Sequence, residues 1–285
     1  MNFESIKTDL QQNGYAIVQN VLSPEEVETA KSMFHSWRQK TVPNFNPPHG
    51  IYKYHEVGHQ QHAWYIRTNP KVQSVFKSIW DTDELITSFD GSCYIAPECS
   101  RKDKHWIHTD QAPDSIGLKC IQGFVSLTDN KERTFVVYEK SHLYHHSYFI
   151  EKGIQSKTNW HVIDSQTIEN MKDQKRVLHV PAGSLVLWDS RSFHANQYGS
   201  SDSKEERIVQ YICFLPRNHP HNTNNIKNKR LRYFIEKRTT SHWPAPIYVN
   251  SKQPQLFGDT SKRIDYSLLP QPDLSDMLTS IQNII

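Results

Sequence analysis

The chain has 285 residues, with 33 basic against 30 acidic side chains and a net charge of +3, so charge alone argues for neither a nucleic-acid nor a membrane partner. A hydrophobic fraction of 36%, with 7 Trp, 13 Tyr and 12 Phe, can fill the core of one large or two small domains and excludes wholesale disorder. No run approaches the ~18 apolar residues of a membrane span, and the opening MNFESIKTDLQQ has no apolar leader core, so a soluble, cytoplasmic protein is expected. The four cysteines, Cys93, Cys99, Cys120 and Cys213, form no CxxC pair and read as reduced thiols.

In chain order, Phe3, Ile6 and Leu10 have helical spacing and Gly14 stops them; Tyr15 to Val18 reads as a short strand. Ser23-Pro24-Glu25-Glu26 is a helix start with a serine cap and acids at the positive dipole end, predicting a helix to about Lys40. Residues 43–65 mix Pro, Gly, His and aromatics without period, an ordered loop or lid in which Tyr52, Tyr54 and Trp64 read equally as core. A helix follows around Pro70 to Trp80. From Thr87 to Phe214, short β-branched and aromatic runs predict strands at Ser92–Ala96, His105–His108, Cys120–Leu127, Thr134–Tyr138, Ser184–Trp188 and Arg207–Phe214, a sandwich or barrel. The interruption from Ser141 to Lys175 is polar and partly helical; beyond Pro216 come a basic helical stretch (Ile226 to Lys237) and a final helix near Asp273 to Ile284.

His108-Thr109-Asp110 stands at the end of a predicted strand, where residues i and i+2 share a face and an imidazole and a carboxylate can meet one ion. His194, after the apolar strand Leu185 to Trp188 and the polar turn Asp189 to Ser192, is the leading candidate for a third ligand. Two imidazoles and one carboxylate with open positions is the arrangement of non-haem Fe(II) oxygenases. With 16 His in the chain an HxD triplet also arises by accident, so its surroundings decide. Arg207 opens the apolar strand RIVQYICFLP thirteen residues after His194; it awaits either a carboxylate-bearing ligand or a salt bridge to Asp202, Glu205 or Glu206.

The segments NGYAIVQNVLSPEEVETA, HWIHTDQAP, GFVSLTDN, HVPAGSLVLWDSRSFHANQ and RIVQYICFLP together resemble the phytanoyl-CoA dioxygenase family of Fe(II)- and 2-oxoglutarate-dependent oxygenases, over most of residues 10–216. The resemblance implies a mainly β fold with flanking helices around a double-stranded β-helix, a cupin-like jelly roll. It implies one domain over 1–285: an N-terminal helical region and lid (1–86), the jelly-roll core (87–216) and a C-terminal helical extension (217–285). Iron is then expected on His108, Asp110 and His194, the distal carboxylate of 2-oxoglutarate on Arg207, and further cosubstrate contacts from Asn196 and, more weakly, Gln122. Dioxygen is the remaining cofactor, and succinate and carbon dioxide are released. Because Asp110 keeps the carboxylate that related halogenases lose, C–H hydroxylation is expected.

The chain departs from the family at Glu132 to Lys140, where glycines are common; Ser141 and His142 remain. Arg67, Asp90, Trp188 and Arg191 are candidates for a small-molecule substrate pocket, with mutual ion pairing the alternative for the charged ones. Asp189 is a candidate partner for a ligand histidine, or only a turn residue. The basic run Lys227, Lys229, Arg230, Arg232, Lys237 and Arg238 reads as a solvated helix face rather than a nucleic-acid surface. A macromolecule-modifying oxygenase and a non-catalytic jelly-roll binding protein are the competing readings.

Overall fold

The computed structural model describes residues 2–285. Its α-helices are α1 (Phe3–Asn13), α2 (Pro24–Thr41), α3 (Gln61–Thr68), α4 (Pro70–Trp80), α5 (Ser141–Glu151), α6 (Ser165–Asn170), α7 (Asn224–Ile235) and α8 (Leu278–Gln282). Its strands are β1 (Tyr15–Val18), β2 (Ile51–Tyr52), β3 (Leu85–Thr87), β4 (Ser92–Ile95), β5 (His108–Thr109), β6 (Ile121–Ser126), β7 (Phe135–Tyr138), β8 (His161–Val162), β9 (Lys175–Val177), β10 (Leu185–Asp189), β11 (His194–Asn196) and β12 (Arg207–Pro216).

Local signals fix the opening elements. Gly14 ends α1 at φ 84°, a left-handed turn that suits glycine, and the chain passes directly into β1. Ser23 and Glu26 form a reciprocal capping box at the head of α2, whose Pro24 occupies the first turn. In α4 the side chain of Asn69 accepts from the amides of Lys71 and Val72.

The chain packs as two compact units, the first comprising the described residues up to Asn20 with Ile95–Arg207 and the second Val21–Tyr94 with Ile208–Ile285. In the first unit β1, β10 and β6 are antiparallel neighbours, Tyr15 opposite Trp188 and Trp188 opposite Gln122. A second sheet there runs β8-β5-β11-β7-β9. These are the strands of a double-stranded β-helix, the jelly-roll core of a sheet-rich chain with flanking helices. Helix α5 closes over the second sheet through Tyr148 and Phe149, which join Val136, Tyr138, Ile163 and Phe193 in one buried cluster. In the second unit β12 carries β3 along Phe214–Pro216, and β4 pairs with β2.

Three segments differ from sequence expectation, one of them the final helix expected near Asp273 to Ile284, which forms only as the five-residue α8. The strand predicted over His105–His108 shrinks to His108–Thr109, because His105 and Trp106 spend their polar atoms on the carbonyls of Ile163 and Asn196 in a looped segment. The loop expected over 43–65 contains β2 and the start of α3, and it buries Tyr52 and Trp64 as core. Helix α3 has Gln60 at its N-cap position without a side-chain cap bond, so no start signal was there to be read.

Candidate active site

Strand β11 lies between β5 and β7, with His194 directly opposite His108. Cross-strand partners project to one face, so the two imidazoles meet with ring centroids 4.4 Å apart. Asp110, just past β5, is held by its amide bond to the Ser190 carbonyl at 3.0 Å. Its carboxylate lies 3.8 Å from His108 Nε2 through one oxygen and 3.1 Å from His194 Nε2 through the other. One ligand atom from each of the three residues falls within 4.8 Å of the others, and all three side chains are buried.

The tautomers are set from behind. His108 Nδ1 is 2.8 Å from the carbonyl of Trp106, and His194 Nδ1 is 2.9 Å from that of Ser192. A carbonyl only accepts, so each Nδ1 carries the proton and each Nε2 presents a lone pair. Two lone pairs then face a carboxylate in a buried space, a group of acceptors that repel one another unless a cation sits between them. Two imidazoles and one carboxylate leave other coordination positions open and suit Fe(II). Asp189, in contrast, does not reach either ligand histidine: it is held by Arg191, whose Nε and Nη2 donate to it at 3.0 and 2.7 Å.

Beside this triad is a set of buried donors without partners. Arg207 is 1% exposed, and its Nη1 donates to Asn196 Oδ1 at 3.2 Å. Its Nε and Nη2 have no partner, and no carboxylate among the described residues forms an ion pair with it. Of the expected alternatives Asp202, Glu205 and Glu206, Glu205 accepts instead from the amides of Lys131, Glu132 and Arg133 at 3.0–3.2 Å. The guanidinium stands over Phe124, 5.2 Å from the ring centre. Two residues earlier on the same face of β6, Gln122 is buried with both amide atoms unpartnered, and opposite it the indole nitrogen of Trp188 is also unpartnered. Trp188 packs 5.4 Å from the ring of His194. Asn196 shares the face of His194 on β11 and positions one arm of the guanidinium.

The segment that lacks the family's glycines is anchored by charge. Arg133, fully buried, donates to the carbonyls of Ala96, Cys99, Ser203 and Glu205, while Ser141 Oγ accepts from the amide of Phe193 at 2.8 Å. Arg67 and Asp90 belong to the second unit, where Arg67 donates to the carbonyls of Gly58 and Asp90 and packs on Trp64. Burial lowers the Arg67 pKa to about 10, offset in part by Asp90. In the basic run, Arg230 is buried against the Pro244 carbonyl and Asn222, and Arg232 and Arg238 both lie near Glu236. Sequence reasoning missed the indoles of Trp106 and Trp160, 4.9 and 5.6 Å from the His108 ring; no spacing rule points to them. No helix among the described residues is long and apolar enough to cross a membrane.

Comparison with known proteins agrees with this architecture. Ava biosynthesis cluster protein O of Aspergillus versicolor is 28% identical over 241 residues, 74% of this chain and 77% of that protein. HygX from Streptomyces hygroscopicus, solved with nickel and 2-oxoglutarate, superposes with a TM-score of 0.53 at 11% identity, covering 75% of this chain and 87% of its own. The epimerase SnoN, solved with Fe3+, α-ketoglutarate and nogalamycin RO, gives a TM-score of 0.50 at 16% identity, with 75% and 78% covered. At these identities the two structures establish a shared fold. The model of the phytanoyl-CoA dioxygenase (PhyH) family matches residues 10–204, and with a buried His-Asp-His group in that span the chain belongs to this family as an oxygenase of the iron and 2-oxoglutarate type.

Proposed function

We propose that the protein is an Fe(II)- and 2-oxoglutarate-dependent dioxygenase that hydroxylates a C–H bond of a small organic molecule. The observation that carries this reading is the meeting of a preset His-Asp-His group with a buried guanidinium that has two unpartnered nitrogens. When bound, iron, 2-oxoglutarate and dioxygen supply the oxidation, placing one oxygen atom in succinate and one in the substrate with release of carbon dioxide.

His108, Asp110 and His194 hold the metal, and the carbonyls of Trp106 and Ser192 keep both imidazoles in the ligating tautomer. Arg207 takes the distal carboxylate of 2-oxoglutarate, the anion its buried charge lacks, with Asn196 fixing its orientation. Gln122 and the Trp188 indole offer further donors on that wall. Asp110 keeps the carboxylate that related halogenases lose, which favours hydroxylation over halogenation. Arg67, Asp90 and Arg191 remain candidates for substrate contact, each already holding a neighbour in its own unit.

The test is succinate formation from 2-oxoglutarate by the Fe(II)-loaded protein, with and without candidate small molecules. Slow release that a chelator stops, and that a substrate accelerates, supports the reading. Absence of both 2-oxoglutarate binding and succinate leaves a non-catalytic jelly roll.

A further inference from the structure

Trp160 is 51% exposed although its ring lies 5.6 Å from that of the ligand His108, tilted by 39°. Trp106, on the same imidazole at 4.9 Å and 31°, is half-buried and tied through Nε1 to the Asn196 carbonyl at 2.9 Å. One indole is thus locked, while the other offers a broad apolar surface to whatever approaches the ligand set.

Trp160 is not a loose surface side chain. Its segment runs antiparallel to the ligand segment, with His108 opposite Val162 and Thr109 opposite His161. Farther along, the Ala112 amide donates to Asn159 Oδ1 at 3.2 Å, and the Ser156 amide to Asp114 Oδ1 at 3.2 Å. A paired ribbon therefore carries His108, Asp110 and the indole-bearing segment, and it holds their spacing. An exposed indole held by this ribbon beside the ligand set offers a stacking surface to a bound molecule.

We propose that Trp160 is a specificity-determining wall of the substrate site, and that it selects molecules with a planar ring system that lies along the indole while presenting a C–H bond to the centre. The proposal rests on the oxygenase reading for its occupant. A flat molecule bound on the Trp160 side of His108 would lie along the exposed indole, whose ring is 5.6 Å from the imidazole, whereas a compact saturated ring would make less contact with it.

The test uses full-length protein loaded with Zn(II) and 2-oxoglutarate, which binds without turning over, and two neutral probes, 2-naphthylmethanol and cyclohexylmethanol, followed by calorimetry. Wild type should prefer the naphthyl probe by about tenfold, Trp160→Ala should lose that preference, and Trp160→Phe should keep it to within about threefold, as expected for a stacking contact. Ile150→Lys, in the separate groove of about 520 Å³ lined by Ile116, Phe149 and Ile154, should leave it unchanged. Lack of preference in wild type, its survival in Trp160→Ala, or its loss in Ile150→Lys overturns the proposal. So does a fall of more than about tenfold in Zn(II) affinity of Trp160→Ala with probe binding restored at saturating metal, since the indole would then only position His108. 2-Oxoglutarate binding and succinate release by the Fe(II)-loaded wild type, read in parallel, separate the two claims: absence of both refutes the oxygenase reading whatever the probes do.

Discussion

Replacing Arg207 with methionine separates a functional cation from a structural one. The guanidinium is buried with one hydrogen bond to Asn196, a contact with Phe124 and two unpartnered nitrogens. Losing the hydrogen bond costs ~1.5–3 kcal/mol and losing the ring contact up to about 2. Against these stands the desolvation of a buried charge without a counter-ion, several kcal/mol, which an apolar side chain of similar volume does not incur. The ligand-free variant should therefore be as stable as wild type or more so by ~1–2 kcal/mol, a melting temperature unchanged or raised by about 2–6 °C. Its response to 2-oxoglutarate should be the reverse. Removing one partner of a buried charge pair costs ~2–5 kcal/mol, which is about thirty-fold to several thousand-fold in Kd. Wild type at a hundred times Kd gains ~2.7 kcal/mol from the cosubstrate, and the variant should gain almost none. Thermal denaturation of Zn(II)-loaded protein with and without 2-oxoglutarate, with calorimetric titration, reads both effects. A variant that binds 2-oxoglutarate to within about tenfold of wild type, or that loses more than ~2 kcal/mol without ligand, refutes the assignment.

His108→Ala and Asp110→Ala should each abolish succinate formation and weaken Zn(II) binding while the melting curve of the metal-free protein stays cooperative; full activity in either removes that residue from the ligand set. Gly14→Ala should destabilise the protein by ~2–4 kcal/mol, because its φ is 84° and the new Cβ would lie 2.5 Å from His142 Nδ1 and 2.8 Å from Ser192 Oγ. Since the Ser192 carbonyl holds His194, metal affinity should fall as well, and unchanged urea midpoint and Zn(II) titration would contradict this coupling. Burial depresses the pKa of His59 and His62 to about 3. The folded value lies below the unfolded one, so the unfolded chain takes up the proton first and stability, full above pH ~6.5, declines as the pH falls. By pH 5 the loss is ~2 kcal/mol for each; urea midpoints across this range should fall, and His62→Gln should make the fall shallower.

Much of the scaffold is written locally. The stop at Gly14, the capping box of Ser23 and Glu26, and the apolar runs of β6, β10 and β12 each carry their own signal, and each element forms within a residue or two of its expected bounds. The short elements are set elsewhere: β5 exists because β8 and β11 flank it, and α3 starts with no cap. The metal triad follows the same division. The two-residue spacing of His108 and Asp110 predicts a shared face, but the meeting with His194 depends on register across two strands that sequence does not state.

What the sequence could not supply is which polar groups go unpaired. Arg207 has Asp202, Glu205 and Glu206 close behind it in sequence, and pairing with one of them was a sound expectation. The chain avoids it by drawing Glu205 onto three successive amides at 131–133, where burial of the carboxyl is outweighed by those hydrogen bonds and its pKa is lowered. Arg133 ties the same segment down from the other side, through the Glu205 carbonyl. The stretch that departs from the family's glycine pattern thus engages one of the acids that could have paired with Arg207. A buried guanidinium left open in this way costs folding energy, and exchanging Glu205 for alanine should loosen 131–133 without giving Arg207 a new partner.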